Sequence, residues 1–208
     1  MNAAPLPSPL KDNPSLDRWV AFPSLGKVTV CTGRVEFGQG VLTAMAQIAA
    51  EELDVAMERI TVRSGDTEFT PNEGYTAGSQ SMQVGGVALR QACAEARALF
   101  LAQAAKVLGC KAGDLSVRDG SFLRNGALTG QDYWTLAGAV ALGVKASGLA
   151  PSKSVADFKI IGASRARLDL PGKIFGAPTF IHDMKLDGMQ HARVVRQPNR
   201  GAKIASVD

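Results

Sequence analysis

The sequence predicts an α+β fold in which mixed sheets pack against amphipathic helices. Three observations carry that expectation: two long stretches with apolar residues at helical spacing, two short alternating runs flanking the first of them, and an Asp-Gly turn between two further alternating runs. At 208 residues and 46% hydrophobic, the chain is long and apolar enough to bury a core.

The opening "MNAAPLPSPLKDNPSL" is punctuated by proline, lacks the basic-then-apolar order of a secretory signal, and reads as a flexible lead-in over residues 1–18. In "KVTVCTGRVE", Lys27 to Glu36, the alternation of Val28, Val30 and Thr32 predicts a strand. Gly38 and Gly40 break it. From Val41 to Val55, Leu42, Met45, Ala49 and Leu53 then recur at helical spacing, with Glu51, Glu52 and Asp54 expected to face mostly away. "RITVRSGDT" predicts a second strand ending at Gly65 and Asp66. The stretch from Phe69 to Gly86 is polar and of a length that is usually functional or disordered. From Val84 to Leu108, Leu89, Cys93, Ala96, Phe100, Ala104 and Val107 step by three or four, and Gly109 closes the helix. "LSVRDGSFLRNG" predicts a hairpin turning at Asp119 and Gly120, and "TGQDYWTLAGAVAL" a short helix capped by Thr129. Residues 143–157 read as a linker between a first domain, 19–142, and an incomplete second one, 158–208, where "FKIIG", "PTFIHDMKL" and "AKIASVD" suggest further β structure that breaks off in mid-pattern.

The composition narrows the function. The net charge of +4 is interspersed and gives little support to a nucleic-acid partner and none to a membrane. No apolar run reaches membrane-spanning length, so a cytoplasmic protein is expected. Cys31, Cys93 and Cys110 lack zinc or iron–sulfur spacing and read as reduced, mostly buried thiols. His182 and His191 have no third ligand in sight, the carboxylates Asp66, Glu73 and Asp183 have no recognisable nucleophile beside them, and Trp19 and Trp134 read as core plugs.

Two constellations remain. Gly38-Gln39-Gly40 stands where a strand hands over to a helix: the glycines allow close backbone approach, free amides at the helix start favour an anion, and Gln39 offers both a donor and an acceptor. Taken alone, such a corner is more often a tight turn than a ligand site. In "TPNEGYTAGSQSMQVGG", Thr70 to Gly86, the polar residues Thr76, Ser79, Gln80, Ser81 and Gln83 surround Gly78 directly before a long helix. That suits an anion nest as well as it suits a solvated loop.

These same stretches, "VEFGQGVLTAMAQIAAEELDV" and "ITVRSGDTEFTPNEGYTAGSQSMQVGGVALRQACAEAR", resemble the molybdopterin-binding large subunit of molybdenum hydroxylases, the xanthine dehydrogenase and aldehyde oxidase family, in particular its isoquinoline 1-oxidoreductase and nicotinate dehydrogenase type. The tail from Arg167, "RLDLPGKIFGAPTFIHDMKLDGMQHARVVRQPNRGAKIASVD", is similar to the start of that family's α/β hammerhead domain. The resemblance implies that Gly38, Gln39 and Gly40 lie against the molybdopterin cofactor, and that Thr76, Ala77, Gly78, Ser79, Gln80 and Ser81 lie at its phosphate end, in the plain or cytosine-dinucleotide form. It also implies a molybdenum centre, a partner subunit with [2Fe-2S] clusters, an aldehyde or N-heteroaromatic substrate, and a catalytic glutamate in a G-x-G-E-like segment that this chain does not contain. The chain is thus expected to be the N-terminal part of such a large subunit, inactive alone. The alternatives are a non-catalytic scaffold that docks the iron–sulfur subunit and a free-standing nucleotide-binding domain.

Overall fold

The structure, a computed structural model, describes residues 5–178 and 180–207. It divides into two compact units, residues 1–169 and 170–208. The first holds two three-stranded sheets and two principal helices. Strands β1 (Val20–Ser24) and β2 (Lys27–Thr32) form a hairpin, and after helix α2 (Val41–Leu53) strand β3 (Ile60–Ser64) returns parallel to β2, Val28 facing Ile60 and Val30 facing Val62. Strands β4 (Leu115–Arg118), β5 (Ser121–Arg124) and β6 (Ala127–Asp132) form an antiparallel meander.

The core lies between these sheets and the pair α2 and α3 (Val87–Leu108). Val28, Val30, Met45, Ala49, Leu53, Leu89, Cys93, Ala96 and Phe100 are all buried in it, as their spacing predicts. Trp19 is fully buried as well. An aromatic cluster joins the two sheets: Phe22 and Phe100 lie 4.6 Å apart, and Tyr133 lies 5.0 Å from Phe100 and 5.3 Å from Phe122. The buried Tyr133 hydroxyl donates to the Leu53 carbonyl at 3.0 Å, giving the C-terminal end of α2 a partner that solvent cannot supply there.

Several expectations are corrected. Residues within the expected flexible lead-in form helix α1 (Ser8–Asp12) and bury Leu10 and Leu16; residues 1–4 lie outside the described residues. Ser81–Gly86 is wound as a π-type turn running into α3, so the helical run starts before Val84, and Val107 is exposed. The short helix α4 (Tyr133–Leu136) is capped by Asp132, whose Oδ1 accepts from the Thr135 N–H at 2.7 Å, while Thr129 sits in β6 and donates to the Phe122 carbonyl. No strand occurs after Asp132 among the described residues: "FKIIG" is irregular, Ile181–Asp183 is a 3-10 turn, and the second unit contains one short helix, α5 (Leu170–Ile174). Thr179 and Asp208, at which two of the expected strands fall, lie outside the described residues.

The largest correction concerns Glu51 and Glu52, which are 1% and 0% exposed rather than facing away. Glu51 Oε2 accepts the consecutive N–H groups of Lys159, Ile160 and Ile161 at 2.8, 2.6 and 3.1 Å. Glu52 pairs with Arg90 at 2.8 Å and accepts the Lys153 N–H, and Glu95 of α3 accepts the Gly148 N–H at 2.7 Å and the Ser147 hydroxyl. Residues 147–161, read as linker and strand, are therefore a strap tied to α2 and α3 by buried carboxylates. Gly/Ser/Pro composition disguises it, because its partners lie far away in sequence.

Burial opposes ionisation of Glu51, but the N–H groups of Ile160, Lys159 and Ile161, with Lys153, outweigh it and hold the carboxyl below its ordinary value of 4.5. A depressed carboxyl contributes stability that is complete above the ordinary value and lost as pH falls through the folded one. Limited proteolysis should accordingly leave residues 147–161 intact at neutral pH and cut them increasingly below about pH 4.5, the value at which the Glu51 contribution starts to fade; Glu51→Gln should make them susceptible at neutral pH.

Candidate functional site

The two constellations are brought together by one buried ion pair. Where β2 ends, Arg34 is 1% exposed and its Nε lies 3.5 Å from Oε1 of Glu73, whose side chain is fully buried. Oε2 of Glu73 accepts the Thr32 hydroxyl at 2.6 Å and the Gly33 N–H at 2.7 Å, and Arg34 Nη1 donates to the Tyr75 carbonyl at 2.5 Å. Gly85 makes room for this pair: a Cβ there would stand 2.5 Å from Glu73 Oε1. One residue on, the Val35 N–H donates to the Thr76 hydroxyl at 3.0 Å, so the 33–40 segment runs beside the start of the 76–81 segment.

The turn at 38–40 differs from expectation in its electrostatics. The amides at the start of α2 are not free: Glu36 Oε1 accepts the Gly38 and Gly40 N–H groups at 2.8 and 2.9 Å, and Oε2 the Leu42 N–H at 3.4 Å. Burial opposes the charge on Glu36, yet the N–H groups of Gly40, Gly38 and Leu42 prevail and its pKa lies below the ordinary carboxylate value. Arg167 closes the arrangement, with Nη1 on the Gly38 carbonyl at 2.8 Å and Nη2 2.6 Å from Asp169. Gln39 is exposed and folds back on its own turn, its Oε1 accepting from Phe37 N–H and its Nε2 donating to the Val35 carbonyl, both at 2.8 Å. One Nε2 hydrogen and one Oε1 lone pair remain for a ligand. Gly38 has φ +116°, with nothing within 4 Å of the place a Cβ would occupy, so the backbone there is open to close approach.

The 76–81 segment is the opposite case. Ala77, Gly78, Ser79 and Gln80 are exposed, and the hydroxyls of Ser79 and Ser81 and the carboxamide of Gln80 have no protein partner among the described residues. Ser79 takes φ +57° and Gln80 a right-handed conformation at the head of the helical run from Ser81 to Leu108, and the Ala77 and Gln80 N–H groups donate within the loop, to the Tyr75 and Ala77 carbonyls at 3.0 and 3.4 Å. A cavity of about 460 Å³ lined by Arg34, Glu73, Gln80 and Val84 adjoins it.

With this geometry in view the comparisons decide the family: the molybdopterin cofactor-binding domain matches residues 6–163. The chain belongs to the molybdopterin cofactor-binding domain family. It is 38% identical over 183 residues to a subunit of nicotinate dehydrogenase from Pseudomonas putida, an alignment covering 88% of this chain and 15% of that protein. It is 27% identical over 208 residues to a membrane-bound aldehyde dehydrogenase [pyrroloquinoline-quinone] of Gluconacetobacter polyoxogenes, covering 91% of this chain and 25% of that one. Quinoline 2-oxidoreductase from Pseudomonas putida 86 aligns with 58% of the chain and 15% of its own, at 27% identity and a TM-score of 0.48. The chain thus spans about a seventh to a quarter of the length of these curated relatives.

Other candidates are not assembled into a site. His182 and His191 are exposed, Cys31 and Cys93 are buried free thiols and Cys110 is half-buried, and no group of three metal-ligating side chains occurs among the described residues. No described helix is long and apolar enough to cross a membrane. Sequence reasoning missed Glu36 and Arg34, within the matched residues 6–163, and Arg167, which follows them. An acidic residue just before Gly-x-Gly and a helix start is a signal for Glu36; nothing local marks Arg34 or Arg167. Glu73, seen in the sequence as a carboxylate without a role, is the partner of Arg34. Removing one member of a buried pair strands the other, so Glu73→Ala should lower unfolding free energy by about 3–5 kcal/mol in chemical denaturation, with Arg34→Ala costing a similar amount and the double variant less than the sum.

Proposed function

We propose that this domain holds the phosphate end of molybdopterin, in its plain or cytosine-dinucleotide form, within the large subunit of a molybdenum hydroxylase. The observation that carries the reading is the set of side chains in residues 79–81 without a protein partner among the described residues: two hydroxyls and a carboxamide suit an anionic, oxygen-rich ligand. The Gly38, Gly40 and Leu42 amides do not suit one, since Glu36 already accepts them. In this reading Gly38 gives the cofactor a close backbone approach and Gln39 lends it one hydrogen-bond donor and one acceptor. Bound, the cofactor supplies the molybdenum centre for hydroxylation of an aldehyde or N-heteroaromatic carbon. The residues of this chain bind and orient it and take no proton from the substrate. The rest of the large subunit, including a domain whose start is resembled by residues 158–208, and a [2Fe-2S] partner subunit complete the enzyme, which we place in the cytoplasm.

A second reading, a scaffold without cofactor contact, is favoured for one part only: Gln39 and Glu36 spend their polar atoms on their own turn. Two measurements on the full-length subunit separate the readings. A triple change Ser79→Ala, Gln80→Ala, Ser81→Ala removes charge-assisted hydrogen bonds of about 1.5–3 kcal/mol each and should strip molybdenum, read by elemental analysis, while leaving the thermal midpoint of the domain nearly unchanged; full metal content in that variant rejects the cofactor reading. Gln39→Ala should lower molybdenum content if Gln39 touches the cofactor. A lowered thermal midpoint with unchanged molybdenum would assign Gln39 to the scaffold.

A further inference from the structure

The meander β4-β5-β6 leaves β4 at its outer edge. The two-residue turn at Asp119 and Gly120, with φ +47° and +81°, makes Arg118 and Ser121 the hydrogen-bonded pair that closes the hairpin. The next pair, Val117 and Phe122, is then a non-hydrogen-bonded one, and the Val117 N–H and C=O point out of the sheet edge. Neither has a protein partner among the described residues.

A groove follows this edge. Two cavities of about 600 and 480 Å³ share Asp54, Ser116, Val117 and Lys159 and so run into one another along β4. Small and apolar residues of α3, Ala94, Ala98 and Leu101, line the larger cavity, and the strap forms the far wall. Asp54 pairs there with Arg97 and Lys153, which also pair with Glu52 and Glu51. Lys159 and Arg118, both lining the smaller cavity, have no ion-pair partner among the described residues, so that end of the groove presents positive charge, while Asp157, likewise without an ion-pair partner, lines the larger cavity. An unpaired edge with a cationic, partly apolar groove beside it is the arrangement by which proteins accept an added strand.

We infer that β4 is a docking edge for an extended segment of the larger subunit to which this domain belongs. The segment pairs with the Val117 backbone, sets a small apolar side chain against Ala94, Ala98 and Leu101, and places a carboxylate at Arg118 and Lys159. A second copy of this chain fits the groove less well than a segment carrying a carboxylate, because each copy brings Arg118 and Lys159 against the one unpaired carboxylate Asp157. The inference rests on the reading above that the domain works inside a larger subunit.

Amide hydrogen exchange of Val117 in the full-length subunit tests it, with the Phe100 amide in α3 as the reference for intact folding. The docked edge predicts a Val117 amide at least tenfold slower than a solvent-exposed edge amide, and Lys159→Glu and Arg118→Glu, made separately, should each speed it several-fold while Phe100 stays slow. Free-edge exchange at Val117 in the unaltered subunit overturns the inference, as does protection that both charge reversals leave untouched. Protection lost on dilution to monomers would give the edge to a second copy and overturn it as well. Molybdenum content of the same preparations keeps the two proposals apart: a metal-free subunit with a protected Val117 sinks the cofactor reading alone.

Discussion

The domain depends on carboxylates that capture backbone N–H groups. Glu36 closes the start of α2, Glu51 and Glu52 hold the strap, Glu73 takes the end of β2, and Glu95 fixes Gly148. Each does what a neighbouring strand or a local cap does elsewhere, giving partners to amides that irregular backbone leaves open. A carboxylate can take two or three such donors at once, and at Glu36 and Glu51 those donors outweigh the cost of leaving water. The sheets are short, three strands each, and could not by themselves order so much irregular chain.

This economy also shapes the ligand face. Because Arg34 and Glu73 neutralise each other beneath it, the 33–40 and 76–81 segments are held side by side without using the polar groups that face outward. One segment has been sealed by Glu36 and Arg167 and contributes shape and an open glycine. The other keeps the side chains of Ser79, Gln80 and Ser81 without a protein partner among the described residues. In the proposed function rigidity comes from the first and binding capacity from the second, a division that suits a large anionic ligand needing both orientation and charge.

Elements governed by near neighbours were legible in the sequence. Alternation in β2, the three-and-four spacing of Leu89, Cys93, Ala96 and Phe100, and the Asp-Gly turn all report local geometry, and all are where the pattern places them. The misses share a physical cause. Glu51 and Glu52 look like the solvent face of a helix, and partners distant in sequence, Arg90 and the strap more than 100 residues away, turn that face inward. The strap has the composition of a linker, for a segment held through its backbone needs no particular side chains. Strand β1 went unseen because its Val20 and Phe22 are packed by contacts with distant helices and a proline interrupts the run. In the ligand face the two segments were recognisable one at a time by residue type. Their adjacency was not, since Arg34 and Glu73 stand 39 positions apart (73 − 34) with no periodic signal between them.

The distance between Glu51 and its strap orders events during synthesis. The three amides it binds lie 108, 109 and 110 positions further along the chain. As the polypeptide leaves the ribosome, β2, α2 and β3 can assemble early through near contacts and Glu52 can meet Arg90 of α3, whereas Glu51 waits, charged and unpaired, until the strap has emerged. For that interval its charge keeps this face of the nascent helix hydrated and out of premature hydrophobic contacts. A residue that locks the finished domain thus also acts as a gatekeeper of the unfinished one.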